Sequence, residues 1–165
     1  MRNVFKLFMT ACLLVSVAMT GVAQKDYSKS EGLLKYVDPY IGSGFHGHVF
    51  VGTSVPYGMV QVGPNNIHKG WDWCSGYHYS DSILIGFSQT HLNGTGCTDL
   101  GDIMIMPMNE IRTERGKQSD ISNGYASKYS HENEIARPEY YSLLVERYNI
   151  KAEMTATDRV GFHRY

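Results

Sequence analysis

The segment Trp71–Asp102, WDWCSGYHYSDSILIGFSQTHLNGTGCTDLGD, constrains the fold more than any other part of the chain. Both tryptophans of the protein fall in it, with Cys74, Cys97 and the glycines 76, 86, 94, 96 and 101 between short apolar runs. Glycine at that density opposes a helix, and the aromatic content is too high for a linker. Trp, Tyr, His and Asp on glycine-bearing loops suit a binding site held by a stiff scaffold. A buried aromatic cluster with tight turns fits the same composition.

The rest of the chain agrees with β structure. There are 165 residues, enough for one domain with an adequate core, and the formal net charge is -1. That balance gives no basic patch and argues against nucleic acid. Twelve tyrosines and 17 glycines, with few long periodic apolar runs, favour strands and turns. Strands are predicted over Tyr57–Val62, Ile83–Phe87, Ile103–Met106, Tyr125–Ser130, Tyr140–Tyr148, Ile150–Met154 and Val160–Tyr165. Gly63-Pro64-Asn65-Asn66 reads as a turn that ends the first of these. Ile103–Met106 is apolar on both faces and is expected to be covered on both sides. Asn149 marks the turn of a hairpin.

The first residues read as a targeting signal. Arg2 and Lys6 precede the apolar run Leu7–Met19, and Gly21-Val22-Ala23 offers small residues for cleavage after Ala23. The domain reading is therefore a signal peptide over 1–23, a polar flexible leader over 24–35 and a β-rich domain over 36–165. The apolar run is too short for a membrane span. The mature protein is expected to be exported, periplasmic or extracellular. A lipoprotein attached through Cys12 is the weaker reading, because the apolar run continues past that cysteine. Cys74 and Cys97 can pair in an oxidising compartment or remain buried thiols.

Chemistry-bearing residues cluster in loops. His46 and His48 fall on one side if their segment is extended. Two imidazoles can bind a metal, meet sugar hydroxyls or hydrogen-bond the loop, and their spacing matches no zinc pattern. A small metal site from His46, His48, Cys74 and Asp99 is one reading. Asp99 and Asp102 lie three apart, but backbone capping explains them better than acid–base catalysis. No carboxylate pair in the chain reads as a catalytic dyad.

Several stretches taken together resemble glycoside hydrolase family 92. They are YVDPYIG from Tyr36, the His46-Gly47-His48 loop, VPYGMVQ from Val55, WDWCSGYHY from Trp71, HLNGTG from His91, SHENE from Ser130 and TATDRVGFHRY from Thr155. They run in order from Tyr36 to the last residue, and WDWCSGYHY is highly specific. Ser43-Gly44-Phe45 and Ser54 depart from the pattern in ways that touch specificity.

The resemblance implies an exported, calcium-dependent, inverting exo-α-mannosidase acting mostly on α-1,2 and related mannosides of glycans. It implies an N-terminal β-sandwich, a C-terminal (α/α)6 barrel and an active site where the two meet. The present chain then corresponds to a truncated, all-β sandwich without the barrel, ending abruptly at Tyr165. The catalytic carboxylates and the Ca2+ ligands are expected in the absent barrel. The substrate-binding residues expected here are Trp71, Trp73, Cys74, Tyr77, His46, Gly47, His48 and His91. An indole supplies a flat surface for the apolar face of a sugar, while Tyr, His and Asp take hydroxyls. At least one tryptophan is expected to touch mannose. A stand-alone carbohydrate-binding sandwich without catalysis is the alternative.

Overall fold

Seven strands build two antiparallel sheets, seen in a computed structural model that describes residues 32–165. The signal segment 1–23 and the leader up to residue 31 lie outside the described residues, and Leu34–Tyr165 form one compact unit. The first sheet has the order β1-β2-β3, with β1 at Gly63–Asn66, β2 at Ile83–Ser88 and β3 at Ser127–Lys128. The second has the order β4-β5-β6-β7, at Glu134–Arg137, Tyr140–Val145, Ile150–Ala156 and Gly161–Arg164.

The second sheet follows the period-2 pattern of its sequence. Tyr141, Leu143 and Val145 alternate along β5 and are fully buried. Across the ladder Tyr141 faces Met154 and Leu143 faces Ala152, so β6 adds its buried residues to the same face. Asn149 adopts φ 51° in the hairpin turn, a conformation asparagine tolerates better than most residues. Phe87 of β2 meets Tyr141 of β5 edge-on at 6.4 Å, and Val51, Val62, Leu84, Tyr129 and Tyr148 complete the core. Each such fully buried aliphatic or phenyl side chain contributes about 1.5–3 kcal/mol.

The first sheet departs from its sequence pattern in three places. Tyr57–Val62 is not a strand. Tyr57 turns with φ 62°, and the backbone bonds of the segment go to Val55, Asp158, Gln89 and Thr53 in turn, leaving no continuous ladder. The strand is instead GPNN, the stretch that reads as a turn. Pro64 is tolerated because β1 is an edge strand. Gly63 is required because a Cβ there would stand 2.2 Å from the Val51 carbonyl oxygen. The two asparagines are buried and their amides are bonded: Asn65 Nδ2 donates to Ser88 Oγ at 2.5 Å, and Asn66 Nδ2 to the Ile83 carbonyl at 2.9 Å.

Ile103–Met106 makes only an isolated bridge, Ile105 with Phe87. Ile103 has φ 53°, which breaks the pleat, and Ile103, Met104 and Ile105 are exposed rather than covered. Tyr125–Ser130 contracts to the two-residue β3. The sequence reading also passes over β4, whose apolar content is low.

Two outcomes test this description. Asn66 accepts from the His78 amide at 2.8 Å and reaches Tyr129 Oη at 3.2 Å. Asn66→Ala therefore orphans several buried groups and is expected to cost about 2–4 kcal/mol in chemical denaturation; a loss below about 0.5 kcal/mol contradicts the network. On the outer face of the second sheet, Glu153 accepts from Tyr140 Oη at 2.6 Å and Arg164 Nε at 2.7 Å. The Tyr140 bond first, then Arg164, pulls its carboxyl from 4.5 to about 2. Its stabilisation is full above the unfolded value and fades as pH falls from 4.5 toward 2. Glu153→Gln is expected to flatten the loss of Tm across that window; an unchanged pH slope contradicts the assignment.

Candidate functional site

Trp71-Asp72-Trp73 forms a single 3-10 turn entered from Gly70, whose φ of 134° favours glycine. The turn sends its two indoles to different places. Trp71 is 56% exposed. Trp73 is half-buried, donates Nε1–H to Asp81 Oδ2 at 2.9 Å and stacks on His78 at 4.3 Å. Lys69 also reaches Asp81 at 2.9 Å and lies 5.3 Å from the Trp73 ring centre. Trp73 is thus fastened within the domain, whereas Trp71 presents an open ring.

Around Trp71 the structure gathers His46, His48 and Asp72. His48 meets the indole edge-on at 4.1 Å, and His46 lies at 5.4 Å. His46 Nδ1 is 2.5 Å from Asp72 Oδ1, and His48 Nε2 is 3.5 Å from the same oxygen. The hydrogen bond from His46, ahead of any other cause, holds the Asp72 carboxyl below the usual carboxylate range. The imidazoles converge from a turned loop rather than from an extended one: Phe45 has φ 49° and His48 φ 54°. Backbone strain of this kind collects at functional sites. His48 is buried, and its Nε2 has no hydrogen-bond partner within the protein.

Glycines set the clearances. A Cβ on Gly96 would stand 2.5 Å from Trp71 Nε1. One on Gly47 would stand 2.1 Å from the Gly42 carbonyl oxygen, so the exposed turn between the two histidines admits no side chain. The 93–96 loop is tied to the histidine loop, with Gly94 N–H donating to the His48 carbonyl at 2.8 Å and Phe50 N–H to Asn93 Oδ1 at 2.9 Å.

The other expected site residues lie deeper. Cys74 is buried with Sγ 2.5 Å from the Thr95 carbonyl oxygen, and burial pushes its thiol up. Cys97 is exposed, and both thiols are free. His91 is buried, donates from Nδ1 to the Gln61 carbonyl at 2.7 Å and stacks on Phe50; burial pushes its pKa down and keeps it neutral. Its Nε2 is also buried without a partner. Tyr77 does not share the Trp71 surface: it is 1% exposed, in the core, with its hydroxyl on Glu134 at 3.1 Å. The four-ligand set His46, His48, Cys74 and Asp99 does not form. Asp99 caps the Leu100 amide, and among the described residues no three His, Cys, Asp or Glu side chains converge as metal ligands.

Sequence reasoning passed over Asp72 and Gly96. The available signals were an acid between two tryptophans and the second glycine of the NGTG loop. Neither shows from spacing alone that it meets Trp71 or a histidine 26 residues away.

Residues 36–165 match the glycosyl hydrolase family 92 N-terminal domain, and the chain belongs to that family. Its fold superposes on a family GH92 alpha-mannosidase, BT3965 from Bacteroides thetaiotaomicron, solved with mannoimidazole: TM-score 0.76 and 42% identity over 79% of this chain and 17% of that one. It also superposes on the GH92 glycosyl hydrolase ccman5, with TM-score 0.66 and 27% identity over 80% of this chain and 18% of that one. A secreted glycosidase of Arthroderma benhamiae, otherwise uncharacterized, is 29% identical over 134 residues, 81% of this chain. The chain spans 17% of that relative's length. Among the described residues no helix is long and apolar enough to cross a membrane.

Gly96→Ala is expected to displace the Trp71 indole, changing the tryptophan emission and near-ultraviolet circular dichroism while stability stays within about 0.5 kcal/mol. Unchanged spectra would show that Trp71 does not rest against Gly96.

Proposed function

We propose that this chain is the N-terminal part of an exported, inverting α-mannosidase that removes terminal mannose, of the α-1,2-linked type, from glycans. Its contribution is one wall of the mannose pocket. The observation that carries this reading is the exposed Trp71 ring edged by His46, His48 and Asp72 in a family 92 N-terminal domain. An open indole packs the C–H face of a pyranose, and the neighbouring polar groups take its hydroxyls. The buried Nε2 of His48, 3.5 Å from Asp72 Oδ1 and without a hydrogen bond inside the protein, adds hydrogen-bonding capacity beside that wall.

Asp72, Asp81 and Glu134 are each engaged within the domain. Asp72 serves His46, Asp81 serves Trp73 and the backbone of Ser82 and Ile83, and Glu134 is buried among tyrosines. Inversion needs an acid and a base whose carboxyl groups stand roughly 6.5–9.5 Å apart around a water. We assign that pair, and the Ca2+ ligands, to chain outside this domain; the described residues do not fit a calcium site. This domain binds the sugar, orients it and excludes water from one side. Export agrees with the basic and apolar residues of segment 1–23 and with the secreted relative.

Trp71→Ala in the full-length protein is expected to lower kcat/KM on an α-1,2-mannobioside by about 10–100-fold, roughly 1.4–2.8 kcal/mol. Trp73→Ala is expected to act mainly on stability. Unaltered kinetics of both variants would overturn the pocket assignment. Mannose binding with no hydrolysis by the full-length protein would favour the carbohydrate-binding module instead.

A further inference from the structure

A second polar cluster, built on the other sheet, reaches back to the Trp71 site. Glu134 opens β4, and its side chain is fully buried. It accepts from Tyr77 Oη at 3.1 Å and from Tyr141 Oη at 2.7 Å. His131 lies in the 3-10 turn capped by Ser130, with Nδ1 2.5 Å from Glu134 Oε2 and Nε2 2.6 Å from the Tyr79 carbonyl oxygen. A carbonyl only accepts, so Nε2 carries a hydrogen. The contact to Glu134 then needs a proton between Nδ1 and the carboxylate. Both ring nitrogens are therefore engaged, and the imidazole lies flat on the Tyr79 ring at 4.3 Å and 8°.

Tyr79 is the last residue of WDWCSGYHY. Its amide donates to the Ser43 carbonyl at 2.8 Å, in the loop that bears His46 and His48. Beside it, His78 Nδ1 accepts from the Ser80 amide, so Nε2 donates to the Phe45 carbonyl at 3.2 Å. The His78 ring also stacks on Trp73. A continuous line of contacts thus runs from buried Glu134 through His131 and Tyr79 to the backbone that turns His46 and His48 toward Trp71.

We propose that His131 is a positioning residue for the sugar-binding wall: it brackets Tyr79 to Glu134 and so fixes the 43–48 loop against Trp71. This rests on the mannoside reading only for its kinetic consequence. His131 itself is half-buried and is not assigned a substrate contact.

The test uses the full-length protein labelled with 5-fluorotryptophan, the Trp71 and Trp73 resonances being assigned from the Trp71→Phe and Trp73→Phe variants. Without ligand, His131→Ala is expected to shift or broaden the Trp71 resonance, because His48 no longer holds its edge-on place. His131→Gln, which retains a donor toward the Tyr79 carbonyl, is expected to restore it in part. On an α-1,2-mannobioside, His131→Ala is expected to raise KM about 5–20-fold with kcat changed less than about 3-fold, the pattern of lost ground-state binding. A Trp71 resonance and a KM both unmoved in a folded His131→Ala protein overturn the bracket. If the resonance moves while the wild type shows no mannoside turnover, the bracket stands and the mannoside reading falls.

Discussion

The burial of one carboxylate organises this domain. Glu134 has no solvent, and a buried acid is tolerated only when its oxygens are hydrogen-bonded. Tyr77 from the tryptophan segment, Tyr141 from β5 and His131 from the turn before β4 supply those bonds. Burial pushes the Tyr77 and Tyr141 hydroxyls far up, so both remain donors at any ordinary pH. The same contacts that satisfy Glu134 register the second sheet against the aromatic segment. The exposed part of that segment then has a fixed base from which Trp71 can project.

That arrangement explains why one short sequence does two jobs. In WDWCSGYHY, Trp73, Cys74, Tyr77 and His78 turn inward and are bonded to Asp81, Thr95, Glu134 and Phe45. Trp71 and Asp72 face outward and meet His46 and His48. A buried aromatic cluster and a ligand surface, alternatives when only composition is considered, are the two sides of one turn.

Legibility in the sequence followed the strength of the local pattern. The β5–β6 hairpin was legible because Tyr141, Leu143 and Val145 alternate and Asn149 takes the left-handed turn. β1 was not, because Gly-Pro-Asn-Asn has turn chemistry, and only tertiary partners such as Ser88, Ile83 and Tyr129 make buried asparagines acceptable. Ile103–Met106 failed in the opposite sense: apolar residues predict burial, but φ 53° at Ile103 takes the segment out of the ladder and leaves it exposed. At the site, the aromatic and imidazole groups were visible by type, and the family by its motifs. Which tryptophan stays open was not, since that depends on Asp81 and Lys69 capturing Trp73. Asp72 was invisible as the meeting point of two histidines because that contact spans 26 residues of sequence.

The most direct measurement is a crystal structure of the full-length protein with a mannose-configured inhibitor such as mannoimidazole. The Trp71 indole is expected within about 4.5 Å of the C–H face of the sugar, with His46, His48 or Asp72 on its hydroxyls and Trp73 still bonded to Asp81. A sugar bound away from Trp71, with that ring still open to solvent, would contradict that expectation.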